Sequence, residues 1–234
     1  MLVDVVLNPA EIARLEHRDL SATTCVVFDV LRATSSMITA LHGGVEEIYP
    51  VRTLDEAALM AREVPRALLG GERNGERPKG FHFGNSPLEY RELPKRRIVW
   101  TTTNGTAALR ACEGAECVLV GAILNLRALI EELTWREPRD LLLVCAGTFE
   151  ELALEDVWAA GALINELRGA DLTDAAHVAR SVAKGFPNPL DALNQCRNGR
   201  TLIAKGRREE VIWCARISEL TMVGVMESAV IRPL

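Results

Sequence analysis

The sequence predicts an α/β protein, a three-layer α/β/α sandwich around a largely parallel mixed sheet. Short apolar, β-branched runs alternate with helix-like segments along most of the 234 residues, which is typical of strand–helix–strand units. The strand-like runs are apolar at consecutive positions, as expected for strands covered on both faces. We expect one domain over residues 1–234, and a two-lobed arrangement with the site between the lobes stays open.

Seven strands and six helices are predicted, and they alternate through most of the chain. The strands cover residues 2–7, 24–29, 46–51, 66–70, 97–102, 116–121 and 140–146. The helices cover residues 33–43, 54–64, 104–112, 124–135, 153–168 and 173–184. Residues 70–87 form the one long segment without predicted structure, and a loop of that length inside a compact domain is commonly functional.

Composition excludes several classes of protein. Hydrophobic residues make up 48% and charged residues 25%, which is ordinary globular usage. The formal net charge of −5 argues against bulk attraction to nucleic acid or to acidic membranes. No apolar run approaches the roughly 20 residues of a membrane span, and the N-terminus lacks the features of a signal peptide. The six cysteines include no C-x-x-C pair, which favours reduced, buried thiols and a cytoplasmic location over disulfides or zinc.

The first candidate site follows strand 24–29, which ends on Asp29. In open α/β sheets, ligands bind beyond the carboxyl ends of the strands, so the residues just after each strand are informative. Arg32, Thr34 and Ser35 follow Asp29, so a carboxylate, a guanidinium and two hydroxyls come together where a helix begins. The alternative is that Asp29 or Thr34 serves only as a helix cap.

The second candidate site is the loop after strand 66–70. Glu72 lies directly after two glycines and could bind a hard cation. Arg73, Arg77 and Lys79 follow in the same loop and could hold anions. A solvated turn is the plainer interpretation of such a loop when it is considered alone.

The third candidate site is the polar segment that ends strand 97–102 and opens the next helix. It contains Thr102, Thr103, Asn104, Gly105 and Thr106. Hydroxyls and free backbone N–H groups at a helix start suit an oxyanion, although a simple cap would use the same residues. No nucleotide P-loop and no dinucleotide-binding glycine fingerprint occurs in the chain.

The fourth candidate site follows strand 140–146, where Glu155 or Asp156 could supply a further metal ligand. Acidic residues also favour a first helical turn without any function. Cys145 is interpreted as a core thiol because no arginine follows at the spacing of a phosphate-cradling loop. The segment 207–210, Arg-Arg-Glu-Glu, is interpreted as a solvated helix face.

Four ordered segments resemble the 2-phosphosulfolactate phosphatase family. They are F-D-V-L-R-A-T-S at 28–35, G-G-E-R-N-G at 70–75 with G-F-H-F-G-N-S-P at 80–87, T-T-T-N-G-T at 101–106, and A-L-E-D at 153–156. The chain carries His82 where we expect the family to have an acid. The resemblance implies an α/β/α fold, Mg²⁺ dependence and hydrolysis of 2-phospho-3-sulfolactate to 3-sulfolactate and phosphate, a step toward coenzyme M.

On this resemblance and on the residues themselves, we assign three expected roles. Asp29, Arg32 and Glu72 are expected to be catalytic, and Asp29, Glu72 and Asp156 are expected to hold Mg²⁺. Substrate binding is expected from Thr34, Ser35, Arg73, Arg77, Lys79, Asn85, Ser86, Thr102, Thr103, Asn104, Gly105 and Thr106. A substrate with carboxylate, sulfonate and phosphate groups needs several cations, which the arginines and the lysine can supply.

Two other interpretations stay open. One is a haloacid-dehalogenase-like phosphatase with Asp29 as the nucleophile, although the second aspartate of that superfamily is Leu31 here. The other is a non-catalytic, anion-binding regulatory domain. The partner is expected to be a small anionic phosphate ester, and the sequence leaves open whether the protein is a homodimer.

Overall fold

A ten-stranded mixed sheet forms the middle layer of the structure, a computed structural model that describes all of residues 1–234. The strands are β1 Leu2–Val6, β2 Thr23–Phe28, β3 Val45–Val51, β4 Leu68–Gly71, β5 Arg96–Thr101, β6 Cys117–Gly121, β7 Asp140–Cys145, β8 Asp171–Leu172, β9 Gly224–Glu227 and β10 Val230–Pro233. The helices are α1 Pro9–Ile12, α2 Ala33–His42, α3 Leu54–Glu63, α4 Gly105–Ala111, α5 Leu126–Arg136, α6 Leu154–Glu166, α7 Asp174–Gly185, α8 Pro189–Gln195, α9 Arg197–Ala204 and α10 Arg208–Cys214. Short 3₁₀ helices lie at Ala13–His17, Pro87–Tyr90 and Ile123–Asn125.

The sheet consists of two parallel blocks joined by an antiparallel hairpin. Its strand order is β4-β5-β3-β10-β9-β6-β2-β7-β1-β8. Strands β4, β5 and β3 are parallel to one another, and so are β6, β2, β7, β1 and β8. The hairpin β9–β10 is antiparallel to both neighbours. Three antiparallel pairings in succession make the two blocks run in opposite directions.

The carboxyl ends of the two blocks nevertheless meet, and sheet twist accounts for it. At the usual rotation of roughly 20–25° between adjacent strands, the six pairings from β4 to β2 would accumulate a twist of about 120–150°. That rotation largely offsets the opposite direction of the blocks. The contact is direct: a Cβ placed on Gly105, after β5, would lie 2.7 Å from the Cβ of Ala33, after β2.

Helices cover both faces of the sheet, which gives three layers. Successive residues of β2 point to opposite faces. Val26 and Phe28 pack with α5, α6 and α7, whereas Cys25 and Val27 pack with α2 and α4. Helix α3 covers the outer block through Ala57. The predicted fold class, α/β/α around a mostly parallel mixed sheet, is therefore confirmed.

The predicted elements agree with the observed ones to within about two residues at most ends. The strand predicted at 66–70 begins instead at Leu68, because Arg66 has a left-handed backbone with φ of 60°. All six cysteines are free and buried, as the sequence indicated. The longest helix, α6, has 13 residues, and no helix combines the length and apolar character that a bilayer crossing requires.

Candidate active site

A polar cavity of about 190 Å³ lies at the junction of the two blocks, beside α9 and the residues that follow it. Its lining comes from the ends of β2, β4, β5 and β7 and from the C-terminal helices. The lining residues are Asp29, Leu31, Arg32, Glu72, Asn74, Gly75, Asn85, Thr103, Asn104, Gly147, Thr148, Phe149, Arg197, Asn198, Thr201, Leu202, Lys205 and Arg207. Only Leu31, Phe149 and Leu202 are apolar, so the cavity suits a polar ligand.

Asp29 directly follows β2, and only one of its two carboxylate oxygens accepts a hydrogen bond from the protein. Its Oδ1 accepts a hydrogen bond from the backbone N–H of Ala33 at 3.1 Å, while its own N–H donates to Thr34 Oγ1 at 3.0 Å. Its Oδ2 accepts no hydrogen bond within the protein, and a Cβ on Gly105 would approach it to 2.5 Å. Glycine at 105 therefore makes room for this carboxylate.

The carboxyl group of Asp29 holds its proton more strongly than an ordinary aspartate. Burial raises its pKa from 3.8 to about 7, and the negative charges of Glu72 and Glu155 add to the effect. The N–H of Ala33 and the charge of Arg32 oppose it. Near neutral pH, Asp29 can therefore both take up and release a proton.

Glu72 follows β4 and is held on the cavity wall by the turn that it begins. Its side chain is 8% exposed. Its Oε1 accepts from the N–H of Thr103 at 2.7 Å, and its Oε2 accepts from the N–H of Gly75 at 2.6 Å. Asn74 and Gly75 have φ of 53° and 80°, which is the backbone of a tight Asn-Gly turn. The turn thus points the backbone N–H of Gly75 at the carboxylate of Glu72.

Asp29 and Glu72 together fit a magnesium ion better than a zinc ion. The chain has no group of three or more His, Cys, Asp or Glu residues arranged to hold a metal. Zinc sites need three or four such ligands, whereas Mg²⁺ is commonly held by one or two carboxylates, water and substrate phosphate. The free oxygen of Asp29 beside Glu72 is the donor set that Mg²⁺ prefers.

Arg32 is the buried cation of the cavity, and its partner comes from α10. Arg32 is 5% exposed, and its Nη1 donates to Glu210 Oε2 in a buried ion pair. Its Nη2 donates to the carbonyl of Gly75 at 3.4 Å. The interpretation of 207–210 as a solvated helix face holds for Arg208 and Glu209, which are exposed. It is wrong for Glu210, which is 8% exposed, and for Arg207, which lines the cavity.

Three further cations of the cavity were missed by the sequence analysis, because no structure was predicted beyond residue 184. Arg197 lies at the start of α9, and its guanidinium contacts Glu151 at 2.7 Å and the carbonyl of Thr148 at 2.9 Å. Lys205 and Arg207 follow α9 and approach Glu76 at 2.7 Å and 3.8 Å. The available signal was the basic run 197–208, which contains five lysines and arginines.

The three cations proposed from the 70–87 loop do not line the cavity. Arg73 donates to the carbonyl of Arg52 at 2.9 Å and to Thr101 Oγ1 at 2.6 Å, so it braces the strand ends. Arg77 and Lys79 are exposed. His82 is also part of this loop's structure, since its Nδ1 accepts the N–H of Leu69 at 2.9 Å.

The segment after β5 contributes two of its five candidates to the cavity, Thr103 and Asn104. The buried Thr102 and Thr106 instead bond to each other, each hydroxyl accepting the other's N–H at 3.0 Å. The side chain of Asn104 binds the loop after β7. Its Nδ2 donates to the carbonyl of Phe149 at 3.1 Å, and its Oδ1 accepts from the N–H of Phe149 at 3.2 Å. Most donors expected to face an oxyanion thus already have partners in the protein.

Of the remaining substrate-binding candidates, the structure brings only Asn85 to the cavity. Asn85 is 5% exposed, and its amide Oδ1 is buried without a hydrogen-bond partner, which a bound ligand could supply. Thr34 and Ser35 are fully buried in the first turn of α2, where Ser35 donates to the carbonyl of Val30 at 2.8 Å. Ser86 is buried and does not line the cavity.

Asp156 and Glu155 lie behind the cavity wall and connect other parts of the site. Asp156 accepts the N–H groups of Val30 at 2.8 Å and Gly147 at 3.1 Å, and burial raises its pKa well above the usual range. Glu155 accepts from Asn198 Nδ2 at 2.6 Å, and burial raises its pKa also. Asp156 does not line the cavity, so the structure does not bring this third expected metal ligand together with Asp29 and Glu72.

Comparison with known proteins identifies the family. A family described as 2-phosphosulpholactate phosphatase matches residues 10–229. A probable 2-phosphosulfolactate phosphatase of Thermotoga maritima is 39% identical over 216 residues, covering 91% of this chain and 90% of its own. A probable 2-phosphosulfolactate phosphatase of Carboxydothermus hydrogenoformans is 37% identical and covers 95% of this chain and 92% of its own. One of Symbiobacterium thermophilum is 38% identical, covering 88% and 92%.

These matches first define a class, the phosphoric monoester hydrolases. More narrowly, the chain belongs to the 2-phosphosulpholactate phosphatase family. The resemblance noted from the four sequence segments is thereby confirmed, and three of those segments supply lining residues of the cavity.

Proposed function

We propose that this protein hydrolyses 2-phospho-3-sulfolactate, or a closely similar small anionic phosphate ester, in a Mg²⁺-dependent reaction at the cavity between the two blocks. The observation that carries the proposal is one small cavity with two carboxylates, Asp29 and Glu72, on one side and four cations around them. The names of the relatives and the family match support the same substrate.

The size and charge of the cavity favour a compact, multiply charged ester. Pockets for larger ligands commonly measure about 300–1,000 Å³, so a volume of about 190 Å³ favours a three-carbon skeleton. Four cations against two carboxylates leave a formal excess of positive charge on the lining itself, because the glutamates that pair with these cations, Glu210, Glu151 and Glu76, lie outside it. A bound metal ion would increase that excess and favour a substrate with carboxylate and sulfonate groups beside the phosphate.

Asp29 and Glu72 are the residues that would hold Mg²⁺, which would polarise the phosphoryl group and lower the pKa of a bound water. Arg32 would stabilise the negative charge that develops on the phosphoryl oxygens. Arg197, Lys205 and Arg207 would meet the carboxylate and sulfonate groups, which are remote from the reacting phosphorus. The unpartnered Oδ1 of Asn85 is an acceptor, so it would serve a bound water or the metal ion rather than the anionic groups of the substrate.

The elevated pKa of Asp29 gives it a second role when no metal is bound. At about pH 7 its carboxyl group is close to half protonated, so it can exchange protons with water in the cavity. When a cation binds, the charged form is favoured and the proton leaves. Metal binding should therefore release protons from this site near neutral pH.

The experiment is a screen of small phosphate esters, including phosphosulfolactate and phospholactate, scored for phosphate release with and without Mg²⁺. We expect release from phosphosulfolactate that depends on Mg²⁺. No release from any ester would support the non-catalytic, anion-binding alternative. Trapping an acyl phosphate on Asp29 with borohydride would support the aspartyl-phosphatase alternative, because only an attacking carboxylate passes through that intermediate.

A further inference from the structure

A buried ion pair joins the cavity to the C-terminal helices. Arg32 follows β2 and Glu210 lies in the first turn of α10, 178 residues further along the chain. Both side chains are almost fully buried, with 5% and 10% exposed. Arg32 lines the cavity, whereas Glu210 does not.

Glu210 limits how Arg32 can point. A guanidinium carries five N–H donors in one rigid plane, so fixing two positions on that plane fixes the whole group. Glu210 accepts a hydrogen bond from Nη1, and the carbonyl of Gly75 accepts one from Nη2 at 3.4 Å. The donors that these partners leave unused are available to an anion in the cavity.

Without Glu210, Arg32 would have a different strongest partner. Glu76, a further carboxylate that interacts with the charge of Arg32, is exposed to solvent, whereas Asp29 and Glu72 line the same cavity as Arg32. A released guanidinium would be drawn toward them, because opposite charges attract strongly in a site of low polarity. Arg32 would then compete with a metal ion and substrate for the two carboxylates.

We propose that Glu210 is a positioning residue for the proposed phosphatase reaction: it holds the guanidinium of Arg32 toward the phosphoryl group and away from the Asp29–Glu72 pair. The inference rests on the proposed function for the identity of the anion. A buried ion pair is a poor source of stability compared with apolar packing, so stability alone gives little reason for its presence here. Helix α10 thereby becomes part of the active site although it contributes only a carboxylate behind the lining.

The test compares two adjacent glutamates of the same helix. Glu210→Gln removes the charge and keeps the shape, and Glu209→Gln is the matched control because Glu209 is exposed. We expect Glu210→Gln to lower kcat on every hydrolysed ester by roughly tenfold to a hundredfold and to weaken binding of inorganic phosphate by about tenfold. Glu209→Gln should change both by less than about twofold. Phosphate binding is measured by calorimetry and needs no turnover.

A double-mutant cycle shows whether Glu210 acts through Arg32. In the Arg32→Lys background, Glu210→Gln should lower kcat and phosphate affinity by less than about a further threefold, because the guanidinium that Glu210 positions is already replaced. Independent, multiplying effects would overturn the inference. So would a Glu210→Gln protein that unfolds more easily yet keeps wild-type kcat and phosphate affinity.

Two further outcomes keep the test decisive. Should Glu210→Gln not fold, Glu210→Asp carries the test, since it keeps the charge but shortens the reach; wild-type phosphate affinity and kcat in this variant would count against positioning. If the wild-type protein hydrolyses no ester, the proposed function fails, while the phosphate-binding comparison still decides the role of Glu210.

Discussion

The acidic and the basic sides of the cavity are built in different ways. The acids Asp29 and Glu72 lie at strand ends, and backbone N–H groups within a few residues help to fix each of them. The cations Arg197, Lys205 and Arg207 come from the C-terminal helical segment and are held by glutamates from distant loops. Local chain geometry thus contributes to both acids, with one further bond to Glu72 from the distant Thr103, whereas the basic side depends on tertiary contacts.

The difference indicates how the two sides should respond to mutation. Acids that hold a metal act on the reacting phosphorus and should control kcat. Cations at the rim contact remote groups of the substrate, and loss of such uniform binding raises KM. The largest effect of mutation is therefore expected on the acidic side.

Glu72→Gln should reduce kcat for phosphosulfolactate by at least about a hundredfold, because it removes one of two carboxylates proposed to hold Mg²⁺. The amide keeps one acceptor oxygen, so one of the two bonds from Thr103 and Gly75 is lost, and a thermal melt should show that the variant stays folded. Steady-state kinetics across a Mg²⁺ titration measure the effect. Glu63→Gln, at an exposed site in α3, is the control and should behave as wild type. A Glu72→Gln enzyme with normal turnover would place the metal elsewhere.

Arg207→Ala should raise KM for phosphosulfolactate by about tenfold and leave kcat within about threefold, because its charge meets a group remote from phosphorus. For a simple ester without sulfonate the change should be smaller. Arg77→Ala is the matched comparison, since Arg77 is a cation of the 70–87 loop that lies outside the cavity, and it should change KM by less than about twofold. The reverse ranking would return substrate recognition to that loop.

The same division explains how much of the site could be predicted from sequence. Asp29 and Glu72 were found because a carboxylate directly after an apolar strand is a local pattern with a known location in α/β sheets. The role of Glu210 could not be found in this way, because Arg-Arg-Glu-Glu has the same local pattern whether it faces solvent or a buried arginine. Only the packing of α10 against the loop after β2 distinguishes the two cases.

The fold shows the same limit. The hairpin β9–β10, which joins the two blocks, was not predicted. Its turn residues Ser228 and Ala229 have φ of 48° and 60°. Left-handed pairs of this kind normally carry Asn or Gly, so the usual hairpin signal is missing. Without that hairpin, the sequence could predict a mostly parallel sheet but not that its two blocks run in opposite directions.

Asp29→Asn should make the metal-free protein more stable at pH 8 than wild type, by on the order of 2 kcal/mol. Burial raises the pKa of Asp29 from 3.8 to about 7, so between these values the folded state binds more protons than the unfolded chain. The stability of wild type therefore falls as pH rises through this window, and this contribution is absent from the variant. Chemical denaturation at pH 4, 6 and 8 measures it.

The metal provides the control for this third prediction. Mg²⁺ should stabilise wild type at pH 8 and should stabilise Asp29→Asn much less, because a ligand stabilises the folded state only as far as it binds it. Equal pH profiles for the two proteins would show that Asp29 titrates as an ordinary exposed aspartate. Equal stabilisation by Mg²⁺ would remove Asp29 from the metal site.

The smallest expected effect lies where the two sides of the cavity meet, at Glu76. This exposed carboxylate contacts Lys205 at 2.7 Å and Arg207 at 3.8 Å, and these contacts lower its pKa. Glu76→Gln has two opposing consequences. Lys205 and Arg207 lose a partner that orders their side chains, and their positive charges are no longer compensated by a neighbouring carboxylate. Exposed ion pairs order side chains only weakly, so the charge effect should prevail and KM for phosphosulfolactate should fall, by up to about fivefold.

Because the effect is electrostatic and exposed to solvent, it should nearly vanish in about 1 M salt, where the screening length is about 3 Å. Glu46→Gln, an exposed acid in β3 on another part of the sheet, should leave KM unchanged at either salt concentration. A rise in KM that persists in high salt would mean that Glu76 positions Lys205 and Arg207, and the basic side of the cavity would then be as closely fixed as the acidic side.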